Sequence, residues 1–473
     1  MNAPANSHMK LHTLASLVIF SAIHASAGDW AQWRGPAFNG TSPEKNLPGK
    51  WSQTEGVKWS LDLPGISGAT PIVSGGLVFV MSPDAENKQW LIAVDRKSGK
   101  VAWKQNLADG ALAKGRGNST SPSPVTDGKT VWALVGTGQL AAFDFSGKEI
   151  WRRDLAKDYG KFNINWVYGS SPLLYGGKLY VLVLQRTPAD GGYPGITDDD
   201  KGTRDSYLLA LTPATGKTLW KHVRPTDAEQ ESQETYATPI PHTVGGKTQL
   251  LIAGGDCLTG HDAETGAELW RGGGINNKKG LSGGGFMRLV PSAVASENVA
   301  LVCGPKQSAA IGYKLDGKGD ITEKGRAWIF DEKNTPDTCT PAAFGGKFYA
   351  LNGDKQVMTC LDAKTGAKVW QEAFTLDRSK GMEIFRASPT IADGKIYNIG
   401  ERGTAVVENL SDGKVLAIIP MLGGHDDGGE KSTLEKIRDM KKQATSDATR
   451  SSIAVSDGNL FIRTSEKLWC IGK

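Results

Sequence analysis

"LDAKTGAKVW" occupies residues 361–370, and near-copies of it recur along the chain. "VDRKSGKVAW" stands at 94–103, "LTPATGKTLW" at 211–220 and "HDAETGAELW" at 261–270, while "FDFSGKEIW" at 143–151 is one residue shorter. In each copy a few polar residues and a glycine separate two runs, and the second run ends in tryptophan. An Asp such as Asp362 accepts main-chain N–H groups in a turn, and Gly366 supplies the positive φ that closes it. The phrase therefore predicts a β-hairpin with tryptophan on its second strand.

The phrase-ending tryptophans and their equivalents are Trp59, Trp103, Trp151, Trp220, Trp270, Trp328 and Trp370, spaced 42 to 69 residues apart. The first complete unit reads as four strands: "TPIVS" (70–74), "LVFVMS" (77–82), "WLIAVD" (90–95) and "KVAWKQ" (100–105). Period-2 alternation and β-branched or aromatic residues support each one. Units of about 40–50 residues with four short strands predict propeller blades. Strand A is expected to begin near Thr70, Ser121, Ser171, Thr238, Ser292, Thr340, Ser388 and Ser452, giving eight blades. The prediction is an all-β, eight-bladed propeller of four-stranded antiparallel blades over residues 56–473, preceded by an N-terminal segment, 28–55. The eighth blade runs out at Lys473 without a fourth strand. "VKWSLDL" (57–63) is expected to supply it and close the ring, removing two exposed edges. The seven tryptophans are assigned to the scaffold, each covering the seam to the next blade, where burying an indole contributes about 2–3 kcal/mol.

Composition narrows the functional classes. The 59 glycines of 473 residues fall largely in turn positions such as Gly75-Gly76 and Gly345-Gly346. A formal net charge of +5 with no basic stripe makes nucleic acid an unexpected partner. Lys10, the apolar run "LASLVIF" (14–20) and "HASA" (24–27) predict a secretory signal peptide over 1–27, cleaved after Ala27. The expected location is periplasmic or extracellular. No membrane span is expected, and no Cys precedes Cys257 to carry a lipid beside the cleavage site. Among five cysteines, Cys360 and Cys470 align with Ala93, Ala142 and Ala210 and read as buried fillers. Cys257, Cys303 and Cys339 fall near strand ends, where a disulfide among them stays open.

The D-A-x-T-G-x-x-x-W phrase, its eightfold recurrence and the preceding "WAQWRGP" (30–36) resemble the PQQ-repeat propeller family over residues 51–473. That family holds both quinoprotein alcohol dehydrogenases and BamB-like assembly factors. The resemblance implies pyrroloquinoline quinone (PQQ) and Ca²⁺ as candidate cofactors at the channel mouth. Yet quinoprotein dehydrogenases carry two adjacent cysteines, and this chain has no Cys-Cys pair. It also has no C-x-x-C-H haem-attachment motif.

Loop lengths place the expected site. A–B connections are tight, and C–D turns are short except in the fifth blade. The long stretches at 185–206, 223–237, 271–291 and 421–450 join B to C or D to A, so they share the face where strand A begins. Function favours loops on a rigid frame. Residues just before strand A should ring the mouth of the channel: Arg116, Asn118, Trp166, Tyr168, Glu234, Tyr236, Arg288, Asp337, Arg386 and Arg450. Four arginines beside carboxylates and aromatics suit an anionic or planar ligand, or pair with one another to hold the loops.

Other candidates are weaker. Asp256, Cys257 and His261 gather at one hairpin, but His261 aligns with Val94, Phe143, Leu211 and Leu361 and reads as a packed sheet residue. "GLSGG" (280–284) lacks the strand–helix setting of a nucleophile elbow. "DDD" (198–200) and "HDDGGE" (425–430) lack a complete calcium-ligand pattern. Within 423–450, Ser432 and Glu435 form a capping box ahead of Leu434, Ile437 and Met440, which predicts a short helix over the mouth. The functional expectation is an exported scaffold that binds a protein, polymer or small ligand at its looped face; a PQQ-dependent dehydrogenase-like enzyme is the alternative.

Overall fold

The computed structural model describes residues 28–189, 192–276, 287–377, 382–421 and 448–473. The expected signal segment, the predicted helix, "GLSGG" and "HDDGGE" lie outside the described residues.

Eight blades, each a four-stranded antiparallel sheet and one of them extended by a short fifth strand, stand around one axis. In the first blade the strands are Ile72–Ser74, Leu77–Pro83, Gln89–Asp95 and Val101–Ala108. Strand A begins two residues later than the sequence suggests, because Pro71 has no N–H to give the ladder. The eighth blade takes Ala454–Ser456, Asn459–Arg463 and Lys467–Ile471 from one end of the chain. Its fourth strand is Val57–Asp62, paired antiparallel with Lys467–Ile471 in the register Trp59↔Cys470 and Leu61↔Leu468. The ring is closed by the N-terminal strand, as expected.

The repeated phrase does two jobs at once. Asp362 Oδ1 accepts from Thr365 N at 2.9 Å and Thr365 Oγ1 at 2.8 Å, and Gly366 N donates to Asp362 O at 2.9 Å. Gly366 has φ +70°, and a Cβ there would sit 2.4 Å from Trp328 of the preceding blade. The Trp328 Nε1–H donates to Ala363 O, 3.0 Å away in the same turn. Trp59, Trp103, Trp151 and Trp220 repeat the arrangement on the next blade's turn, donating to Arg96 O, Phe145 O, Pro213 O and Glu264 O. Trp370 lies against Gly413 in the same manner. Each indole thus docks on a glycine that must be both left-handed and free of a side chain.

Trp270 departs from the series. The fifth blade's C–D turn is long, and its Gly319–Asp320 adds a parallel fifth strand to Glu268–Gly272 of the fourth blade. Trp270 is instead buried within its own blade, over Gly260, with Nε1 donating to Gln249 Oε1 at 2.6 Å.

All five cysteines are free and buried, so no disulfide joins Cys257, Cys303 and Cys339. Burial pushes the Cys303 and Cys339 thiols up to about 12. Among the described residues no helix is long and apolar enough to cross a membrane.

Residues 28–51 form a strap over one end of the axis. Trp30 bridges Val73, Ala31 O accepts from Thr126 N, Asn39 O from Ala343 N, and Gly40 O from Ile391 N. These partners lie in the A strands of the first, second, sixth and seventh blades, and Asp29, Leu47 and Glu44 bond the A–B turns at Gly75, Asp393 and Asp457-Gly458, so the strap crosses the face opposite to where strand A begins. Arg34 pins it. Its guanidinium is buried and donates to the carbonyls of Pro341, Pro389 and Asn39. Burial pushes Arg34 down to about 9.

Candidate functional site

A collar of eight hydroxyls lines the axis where the A strands start. Thr70 N donates to Ser123 Oγ (2.9 Å), Ser123 N to Ser171 Oγ (2.9 Å), Ser171 N to Thr238 Oγ1 (3.0 Å) and Thr238 N to Ser292 Oγ (2.8 Å). The cycle continues from Ser292 N to Thr340 Oγ1, Thr340 N to Ser388 Oγ and Ser388 N to Ser452 Oγ, then closes from Ser452 N to Thr70 Oγ1. Every blade therefore hands one amide proton to its neighbour's side chain. In the second blade the member is Ser123, not Ser121. "SPSP" (121–124) offers two registers, and only Ser123-Pro124 leads directly into Val125–Thr126. Ser121 Oγ instead donates toward Asn118 Oδ1.

The collar is the waist of a cavity of about 420 Å³. At one end its wall carries Arg116, Arg288, Arg386, Arg450, Trp166 and Asp337; at the other lies Trp33 of the strap. The channel is a cup with an indole floor.

Carboxylates restrain the arginines at the rim. Arg450 Nε donates to Glu401 Oε1 at 2.8 Å, and Arg116 Nε approaches the same oxygen at 3.8 Å. Arg386 Nη2 pairs with Asp354 Oδ1, and Arg288 Nε stands 3.3 Å from Glu231 Oε1. Burial alone would raise the Asp354 carboxyl, but the bonds from Arg386 and Gln307 outweigh it and hold it below its usual range. Burial pushes the Arg450 guanidinium down. Arg116 is the exposed member, with its side chain 49% accessible. Asp337 is held by Lys306, whose N donates to Oδ1 at 2.8 Å and whose Nζ lies 3.5 Å from Oδ2.

Trp166 is clamped between loops. The hairpin Ala113–Lys114/Gly117–Asn118 folds over it so closely that a Cβ at Gly115 would meet the indole at 2.1 Å, and Gly115 has φ +54°. The Trp166 Nε1–H donates to Glu231 Oε1 at 3.2 Å, and Tyr236 Oη accepts from Trp166 N at 3.1 Å.

Three residues expected at the mouth stand behind the wall. Tyr168 is buried in the core between the second and third blades, where its hydroxyl donates to Leu182 O. Glu234 is fully buried, accepting from Asn165 N at 2.8 Å, and burial pushes it up to about 7. Asn118 is consumed in its own turn, accepting from Thr120 N and donating to Ile66 O. The sequence reading missed Glu231, Asp354, Glu401 and Trp33.

The remaining motifs settle as structure. His261 is buried, with Nδ1 3.0 Å from Gly266 O and Nε2 3.0 Å from Thr259 Oγ1, and burial pushes it down to about 4. Asp200 of "DDD" accepts from Thr197 N and Lys161 Nζ, both at 2.9 Å.

PQQ and Ca²⁺ fare differently against this wall. A planar polycarboxylate finds guanidinium groups at the rim and indole faces at Trp166 and Trp33. Ca²⁺ takes six to eight oxygen ligands, whereas Asp337 is the one carboxylate among the described wall residues and is engaged by Lys306. Among the described residues no group of three or more His, Cys, Asp or Glu could hold a metal.

Fold and cup together define a closed eight-bladed propeller with a dead-ended axial site framed by loops. The chain belongs to the PQQ-repeat family whose model, described as outer membrane protein assembly factor BamB, matches residues 50–187, 87–311 and 204–472. It is 28% identical over 225 residues to quinohemoprotein alcohol dehydrogenase ADH IIB of Pseudomonas putida, covering 45% of this chain and 29% of that enzyme. The matched region is thus less than a third of the relative's length. Among solved structures, it resembles the quinohemoprotein alcohol dehydrogenase of Comamonas testosteroni with a TM-score of 0.62 at 12% identity, covering 97% of this chain and 83% of that one. BamB of Moraxella catarrhalis gives 0.56 at 14% identity, covering 88% and 99%. At these identities the structural likeness establishes the fold alone.

Proposed function

We propose that the protein is an exported binding propeller that takes up a protein, polymer or small ligand at the looped mouth of its axial cup. One observation carries this reading: the strap seals one face, while the long connections and the arginine-bearing rim frame the other. The BamB-like branch of the family supplies a precedent for a propeller that works by contact rather than by chemistry. The N-terminal 1–27 fits a cleaved export signal.

The second reading is a PQQ-dependent alcohol dehydrogenase-like enzyme, favoured by the rim arginines and by similarity to ADH IIB. Against it stands the wall itself, where Lys306 engages Asp337, the one carboxylate among the described wall residues. Incubating the mature protein with PQQ and Ca²⁺ and following dye-linked oxidation of an alcohol panel separates the two. No turnover is expected, together with recovery of a partner that Arg116→Glu releases. Turnover would replace the binding reading by the enzymatic one.

A further inference from the structure

The collar has unused chemistry. A serine or threonine hydroxyl offers one proton and two lone pairs. In each of the eight, one lone pair is taken by the neighbouring blade's amide. None of the eight protons finds an acceptor among the described residues. Nearby hydroxyls behave differently: Ser67 donates to Thr120 O, Thr235 to Ala253 O and Thr390 to Ile453 O. The collar side chains are all at most 7% exposed and six of them form the cavity wall, so their protons are available to the lumen and to little else.

Most charges around the collar are paired, Asp337 with Lys306 and the rim arginines with Glu231, Asp354 and Glu401, and the cations left least compensated are Arg116 and Arg34. Above it stands Arg116, loosely held and half exposed. Below it, behind the Trp33 floor, Arg34 is a fully buried cation that bonds only to carbonyls, with its guanidinium 5.6 Å from the Trp33 ring and no carboxylate within ion-pair reach among the described residues. Glycines, Val167 and Val290 share the remaining wall with Tyr236, Thr338 and the Lys306-paired Asp337. A lumen lined by O–H donors, with an uncompensated buried cation beneath it, favours an electron-rich guest.

We infer that the hydroxyl collar is a metal-independent binding site for a small oxyanion, a carboxylate, sulfate or phosphate group inserted along the axis. This goes beyond the looped-face reading, since the site lies inside the cup and its occupant need not be the partner at the mouth.

The test inserts charge without disturbing the collar. Gly169 is on the cavity wall, and a Cβ there would make only ordinary contacts, 3.6 Å to Tyr236 and 3.8 Å to Ser121. Titration calorimetry of the full chain with sulfate, phosphate, citrate and benzene-1,3,5-tricarboxylate, in EDTA at constant ionic strength, should show saturable binding of at least one. Gly169→Asp should weaken it by about tenfold or more through like-charge repulsion, while neutral Gly169→Asn stays within about threefold. Thermal melts of both variants confirm folding. Absence of binding by all four anions, equal affinity in Gly169→Asp, or binding of PQQ alone would overturn the proposal. Failure to recover any partner at the mouth, with anion binding intact, would sink only the looped-face reading.

Discussion

The amide of Ser452 donates to the hydroxyl of Thr70 at 3.1 Å, joining residues 382 positions apart in the chain. That one bond completes the collar at the seam where the first and eighth blades meet. Thr70→Val keeps the side-chain shape and removes the acceptor, leaving a buried N–H without a partner. A loss of about 1–3 kcal/mol is expected in urea unfolding, and Thr70→Ser should recover most of it. Equal stability of the valine variant would mean that the seam does not depend on the collar.

Two glycines separate backbone strain from indole docking. Gly345 has φ +58° and nothing within 4 Å of an added Cβ, whereas Gly366 has φ +70° and the Trp328 ring at 2.4 Å. Gly345→Ala should therefore cost about 1 kcal/mol, the left-handed penalty alone. Gly366→Ala should cost more, about 2–4 kcal/mol, because the indole must also withdraw from its turn. The same urea titration reads both, and a blue shift loss in tryptophan emission should accompany only the second.

Glu234 makes stability depend on pH. Burial raises its folded value to about 7 from an ordinary 4.5, so the folded state keeps a proton that the unfolded chain releases between those values. The stability it contributes is present below about pH 4.5 and is lost as pH rises toward 7. Glu234→Gln should flatten the pH dependence of the melting temperature between pH 5 and 7.5 and raise the midpoint at neutral pH. A slope unchanged by the substitution would reassign the dependence, with Asp256, also raised to about 7 by burial, the next group to replace.

What the sequence made legible was what repeats. The hairpin phrase, the blade number and the closing strand each leave local marks, because Asp, Gly and Trp are demanded at fixed offsets eight times over or nearly so. The rim was partly readable: Arg116, Arg288, Arg386, Arg450, Trp166 and Asp337 do reach the cavity, since the residues just before strand A approach the axis. Tyr168 and Glu234 turned away because neighbouring loop residues face opposite sides of a wall. Glu231, Asp354 and Glu401 were missed for a different reason. They come from other connections and meet the arginines only in three dimensions. Trp33 stood within the quoted "WAQWRGP", but nothing local in that stretch shows that the strap carries it to the axis. The Ser121/Ser123 ambiguity shows the limit of pattern alone, where a doubled Ser-Pro leaves two registers and packing picks one.

The pairing of Val57–Asp62 with Lys467–Ile471 sets an order of events during biosynthesis. A chain emerging amino end first delivers one half of this latch long before the other, with all the intervening blades made between them. Until then an apolar strand edge waits without its partner, and closing so large a loop carries an entropic cost. Such a molecule would gain from escorts that shield the early strand in transit, and premature termination should leave it sticky rather than merely incomplete.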